Sequence, residues 1–130
     1  MVAYSFQKRF APQIVAGSKR QTIRAPRRRH ARPGEALQLY VGMRTTTCCK
    51  IIPDPLCAKV EPITILFDAE GKIDEIEIDR LPIDDVDGFA VEDGFESLSA
   101  MAGFWVMHHG LMRQFRGVLI SWVPVVQVAQ

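Results

Sequence analysis

The 130-residue sequence contains no apolar run approaching the ~18 residues that a membrane-crossing helix needs, so no helical span is expected. Its amino terminus lacks a charged start followed by an unbroken apolar stretch, and the chain is therefore expected to work in the cytoplasm. Cysteine is scarce. The three that occur, Cys48, Cys49 and Cys57, are odd in number and two are adjacent, which excludes a disulfide-stapled framework and suits reduced thiols. With His108 or His109 they make a zinc set only on paper, because the paired spacing of structural zinc sites is missing; no metal and no cofactor are expected. The acidic stretch from Asp68 to Asp87 has no calcium-loop spacing and reads as a solvated sheet face with turns.

Acids are nearly absent from one end of the chain. The first fifty residues hold eleven Lys or Arg against Glu35 alone, and the remaining eighty hold five against fourteen acids, so a net +1 conceals +10 against −9. A positive region of that strength favours phosphate or another anion, unless the two halves neutralise each other through surface ion pairs. The run Arg27-Arg28-Arg29-His30, with Arg32, has no Phe, Tyr or Trp interleaved. Base stacking cannot be argued from it; phosphate contacts can.

What is present suits one domain over residues 1–130. The chain is long enough to bury a core, and an apolar fraction of 48% against 24% charged residues excludes wholesale disorder. Ala11 to Ala16 reads as a short helix with Pro12 in its first turn and Gly17 as its stop. Gln21 to Arg24 reads as a strand, and Ala25 to Gly34 as a loop. Leu37, Leu39 and Val41 alternate with Gln38 and Tyr40 in a half-buried strand over residues 35–41. After an ordered loop, Cys57 to Phe67 forms a strand in which Pro62 demands a bulge or an edge. Ala69 to Gly71 turns, and Ile76 and Ile78 alternate with acids in the next strand. Phe89 to Asp93 makes a turn or two of helix stopped by Gly94. Ser97 then caps a helix to about His109, with Leu98, Met101, Trp105 and His108 on its inner face and Gly110 as its stop. Val118 to Val123 closes the chain as a strand covered on both faces. Trp105 and Trp122 read as core residues. The fold class is α+β.

Phe6 to Phe10, Ile14 to Arg24 and Pro33-Gly34-Glu35, followed by Gly42-Met43-Arg44-Thr45, Asp93-Gly94-Phe95 and Phe115 to Trp122, resemble the ASCH domain of the PUA-like superfamily. The likeness is to short bacterial and prophage members. It implies a small PUA-like mixed β-barrel flanked by short helices, with a cleft beside the first helix that takes RNA or a modified nucleoside. In one bacterial subgroup the same cleft hydrolyses cytidine acetylated on its exocyclic amine, using a lysine, a threonine and a glutamate. By position these fall on Lys19, Thr22 and either Asp93, which stands immediately before the Gly-Phe pair, or Glu92, which has the enzymes' residue type one place earlier.

Three readings follow. In the leading one, the chain is a nucleotide- or RNA-binding module whose ligand groups are Gly17, Lys19, Arg20, Thr22, Arg24, Arg28, Arg29, Arg44 and Asp93. In the second it is an amidohydrolase: Lys19, its pKa lowered by neighbouring charge, takes the proton of the Thr22 nucleophile, and Asp93 or Glu92 protonates the leaving amine. The plain alternative is that Lys19 and Arg24 contact phosphate while Thr22 pairs within a sheet. In the third the surface binds another protein, as in a phage accessory factor. The oligomeric state is not set by any of these residues.

Overall fold

Val2, Tyr4 and Phe6 alternate with the less buried Ala3 and Ser5, and this period of two makes the first strand in the computed structural model, which describes residues 2–124. In chain order the elements are β1 (Val2–Phe6), a 3-10 helix (Lys8–Phe10), α1 (Ala11–Ala16), β2 (Gln21–Arg24), β3 (Leu37–Val41), β4 (Cys49–Lys50), β5 (Leu56–Phe67), β6 (Ile73–Ile78), β7 (Leu81–Pro82), α2 (Val86–Glu92), α3 (Leu98–His109) and β8 (Gln114–Val123). The chain is thus α+β. Its strands form a three-stranded sheet, β1-β3-β4, and a five-stranded sheet, β2-β8-β5-β6-β7. Among the described residues the ladders end in two open sheets and do not close into one barrel.

Two compact units divide the chain. The first contains the residues up to Gln21, Arg27–Val60 and the stretch from Ile120; the second contains Thr22–Pro26 and Glu61–Leu119. In the first, β1 runs parallel to β3, Val2 opposite Leu37 and Phe6 opposite Val41, and β4 pairs antiparallel to β3. Tyr4, Leu37, Leu39 and Ile14 are at most 2% exposed and form its centre. α1 stops where expected: Gly17 takes φ 80°, a left-handed conformation open to glycine, and Ser18 N–H bonds back to the Gln13 carbonyl.

In the second unit β5 and β6 pair antiparallel from Ile63–Ile78 to Phe67–Ile73. Pro62 stands just beyond the end of that ladder and offers only its carbonyl, to Asp79 N–H; the irregularity lies at Leu66/Phe67 instead. Asp68 Oδ1 accepts from the N–H groups of Glu70 and Lys72 and so shapes the turn into β6. α3 begins at Ser97, whose hydroxyl accepts from Ala100 N–H, and ends before Gly110. Met101, Ala102 and Trp105 are its buried residues, whereas His108, expected on the inner face, is exposed. β8 lies between β2 and β5. Leu119 and Ile120 are both buried, so both of its faces are covered.

Candidate nucleotide and phosphate site

The Gly17 turn leads straight into the residues that the sequence singles out. Four polar side chains are buried among the described residues, Lys19 (4% exposed), Thr22 (5%), Asp93 (5%) and Gln21. Burying charged groups costs stability unless partners compensate, so such residues mark either a functional site or a structural network.

In the first unit Lys19 is held among aromatics. Its Nζ lies 4.9 Å from the centroid of the Phe10 ring and 5.9 Å from that of Phe6, a distance at which the ring faces attract an ammonium. Arg20 is exposed and folds back on the turn, its Nε donating to the Gly17 carbonyl at 2.8 Å.

The arginine-rich loop is pinned at two points. Arg27, the first residue of the basic run, lies over the Tyr4 ring at 4.5 Å, and its Nε donates to the Arg29 carbonyl. The Tyr4 hydroxyl accepts from Ala31 N–H at 3.1 Å and pairs with His30 Nδ1 at 3.0 Å, so one buried ring organises residues 27–31. Glu35 is the second pin: it forms an ion pair with Arg29 and accepts from Arg32 N–H at 3.1 Å. The Arg29 bond, helped by the Arg32 N–H, holds its carboxyl down at about 2. Arg29 is thereby partly committed within the loop. Arg28 and Arg32 are exposed, and their guanidinium groups make no hydrogen bond or ion pair among the described residues. Arg44 is exposed too. It takes φ 66° in a turn where the Thr45 hydroxyl donates to the Gly42 carbonyl at 2.6 Å, a strained backbone for a residue with a side chain.

In the second unit Arg24 Nε donates to Thr22 Oγ1 at 3.0 Å. That bond occupies one lone pair of the hydroxyl and puts a fixed positive charge beside it, which favours negative charge on the oxygen. β8 comes close to this strand only because residue 117 is glycine: a Cβ there would stand 2.3 Å from the Arg24 carbonyl and 2.7 Å from the Phe115 ring. α2 ends at Asp93, whose N–H bonds to the Phe89 carbonyl, and Gly94 (φ 101°) reverses the chain. That turn leaves Asp93 buried and Glu92 exposed.

Charge sorts by unit almost as completely as by position in the chain. The first unit carries eleven Lys or Arg against Glu35 and Asp54, a net +9; the second carries five against thirteen acids, a net −8. Tyr4, which anchors the loop, and the buried Gln21 are the residues here that sequence reasoning did not single out. The alternation Val2-Tyr4-Phe6 would have placed Tyr4 in a core, but nothing local announces that an arginine lies on its ring. Cys48 and Cys49 are exposed, while burial pushes the Cys57 thiol up. Among the described residues no group of three or more His, Cys, Asp or Glu is placed to hold a metal ion. No helix among them is long and apolar enough to cross a membrane. No family model matches the chain, and neither a curated protein nor a solved structure matches it.

Proposed function

We propose that this chain is an ASCH-type domain of PUA-like fold that binds RNA or a nucleotide in the cytoplasm, through phosphate contacts made by the basic unit. The observation that carries the reading is the arginine-rich loop: Tyr4 and Glu35 hold its backbone in place while Arg28 and Arg32 remain exposed, in a unit of net +9. A loop already ordered before binding loses less entropy when a phosphate docks than a free arginine tail would. The burial of Lys19, Thr22 and Asp93 adds support, since these are the three positions that the family resemblance selects.

The test is fluorescence anisotropy with a short labelled RNA over a salt series. Affinity should fall steeply with salt, and Arg28→Ala should weaken binding and reduce the log–log salt slope by about 1. RNA binding that ignores salt, or a slope unchanged in Arg28→Ala, would remove the arginine loop from the interface.

A second reading is hydrolysis of an acylated nucleoside, and the Arg24–Thr22 hydrogen bond favours it. The Thr22 oxygen would attack the acyl carbon, the amine would leave with a proton, and water would then release the acid from the threonine ester. The resemblance gives the base role to Lys19. Incubation with N4-acetylcytidine separates the readings: an enzyme releases cytidine and acetate, and Thr22→Val loses that release without unfolding. No release from the unaltered chain leaves the binding reading alone.

A further inference from the structure

In the acidic unit, α3 carries no charged residue between Leu98 and Met107, and its sequence is apolar or small on nearly every side. A helix of that kind is ordinarily covered all round. Here one stripe is open: Ser99, Gly103 and Met107, spaced four apart on one face, are exposed, Met107 to 81%. Beside them runs an open groove of about 680 Å3, a size that holds ligand side chains, walled by Ile73 and the turn before it and floored by Leu98, Ala102 and Val106. The wall is tight. A Cβ on Gly71 would stand 2.7 Å from Val106 and 3.0 Å from Leu111, which is itself 67% exposed at the end of the stripe.

Charge selects the occupant. Glu70 lines the groove, Glu96 stands two residues before its Leu98, and the unit to which it belongs is −8 as a whole. The single cation at the edge, Lys72, lies 3.6 Å from Glu70. We infer that this groove is a docking site for an amphipathic helix of a partner protein, its apolar side chains seated along α3 and its Lys or Arg residues drawn by the net negative charge of the unit around the groove. From Leu98 to Met107 the helix rises roughly 14 Å, the length of two to three turns of a partner helix. Gly103 permits close approach of the two backbones, and Met107 supplies an adaptable apolar contact.

The probe is a short synthetic peptide of leucine and lysine patterned as an amphipathic helix, with the same pattern in leucine and glutamate as control. The lysine peptide should bind at least about tenfold more tightly than the glutamate one, with amide shifts concentrated at residues 70–73 and 98–107. Gly103→Trp should reduce that binding by about tenfold or more; nothing lies within 4 Å of a Cβ built there, so the substitution fills the groove without displacing the fold. Should Gly103→Trp unfold, Ser99→Trp at the exposed next turn of the same stripe replaces it. RNA affinity, assigned to the other unit, should be unchanged in either variant. Equal binding of the two peptides, or binding indifferent to the variants, overturns the inference. So does sedimentation as a dimer that Gly103→Trp renders monomeric, which would assign the groove to a second copy of this chain.

Discussion

Glu35 is the lone acid among the first fifty residues, and it sits where the arginine-rich loop turns back into the sheet. Its carboxylate is bonded only in the folded chain, by Arg29 first and by the Arg32 N–H second, which lowers it from the ordinary 4.5 to about 2. The unfolded chain therefore takes up this proton at a higher pH than the folded chain. The contribution to stability is fully present above pH 4.5 and is lost as pH falls from 4.5 towards 2. Glu35→Gln keeps the shape and removes the titration. Urea midpoints measured across that window should fall less steeply for Glu35→Gln than for the unaltered chain, and the pair is exposed enough that added salt should narrow the gap. Parallel pH curves would mean that Glu35 is not the pin of the loop.

At the scale of elements, β2 depends on a glycine in its neighbour. In the sheet order β2 is an edge strand whose one partner is β8, and Gly117 is where β8 lies against the Arg24 carbonyl. Gly117→Ala would put a methyl 2.3 Å from a backbone oxygen and against the Phe115 ring, neither of which yields cheaply. Overpacking of this kind costs about 1–3 kcal/mol. Thermal denaturation should show that loss, and the Arg24–Thr22 bond should loosen as β2 moves away from β8. An unchanged midpoint would show that the edge strand shifts freely. The same sheet explains what the sequence could and could not tell. α1 and α3 were legible because their starts and stops are local: Pro12 and Gly17 for one, Ser97 and Gly110 for the other. β5 and β8 were legible from apolar content. β1 pairs in parallel with β3, more than thirty residues along the chain, and no local signal marks that pairing. β4 and β7 have two residues each, too few to carry a period. The burial of these four polar side chains could not be read from spacing, because burial of Lys19 or Asp93 depends on distant packing; the family resemblance alone pointed to three of them.

For the whole molecule, near-neutrality is misleading. A chain of net +1 with evenly mixed charges would pass through either kind of ion exchanger, since screening over about 10 Å averages neighbouring opposite charges to nothing. Here +9 belongs to one compact unit and −8 to the other, so the charges are sorted rather than evenly mixed. On the readings proposed above, a field of one sign would steer anions to the arginine loop, and the other would steer cationic side chains to the groove along α3. The expected behaviour at pH 7 and low salt is retention on both a cation exchanger and an anion exchanger. Replacing Arg28 and Arg32 with alanine should weaken the first without weakening the second. Flow-through on both resins would show that the two charge sets cancel at the surface, and the steering argument for RNA and for a basic helix would fail with it.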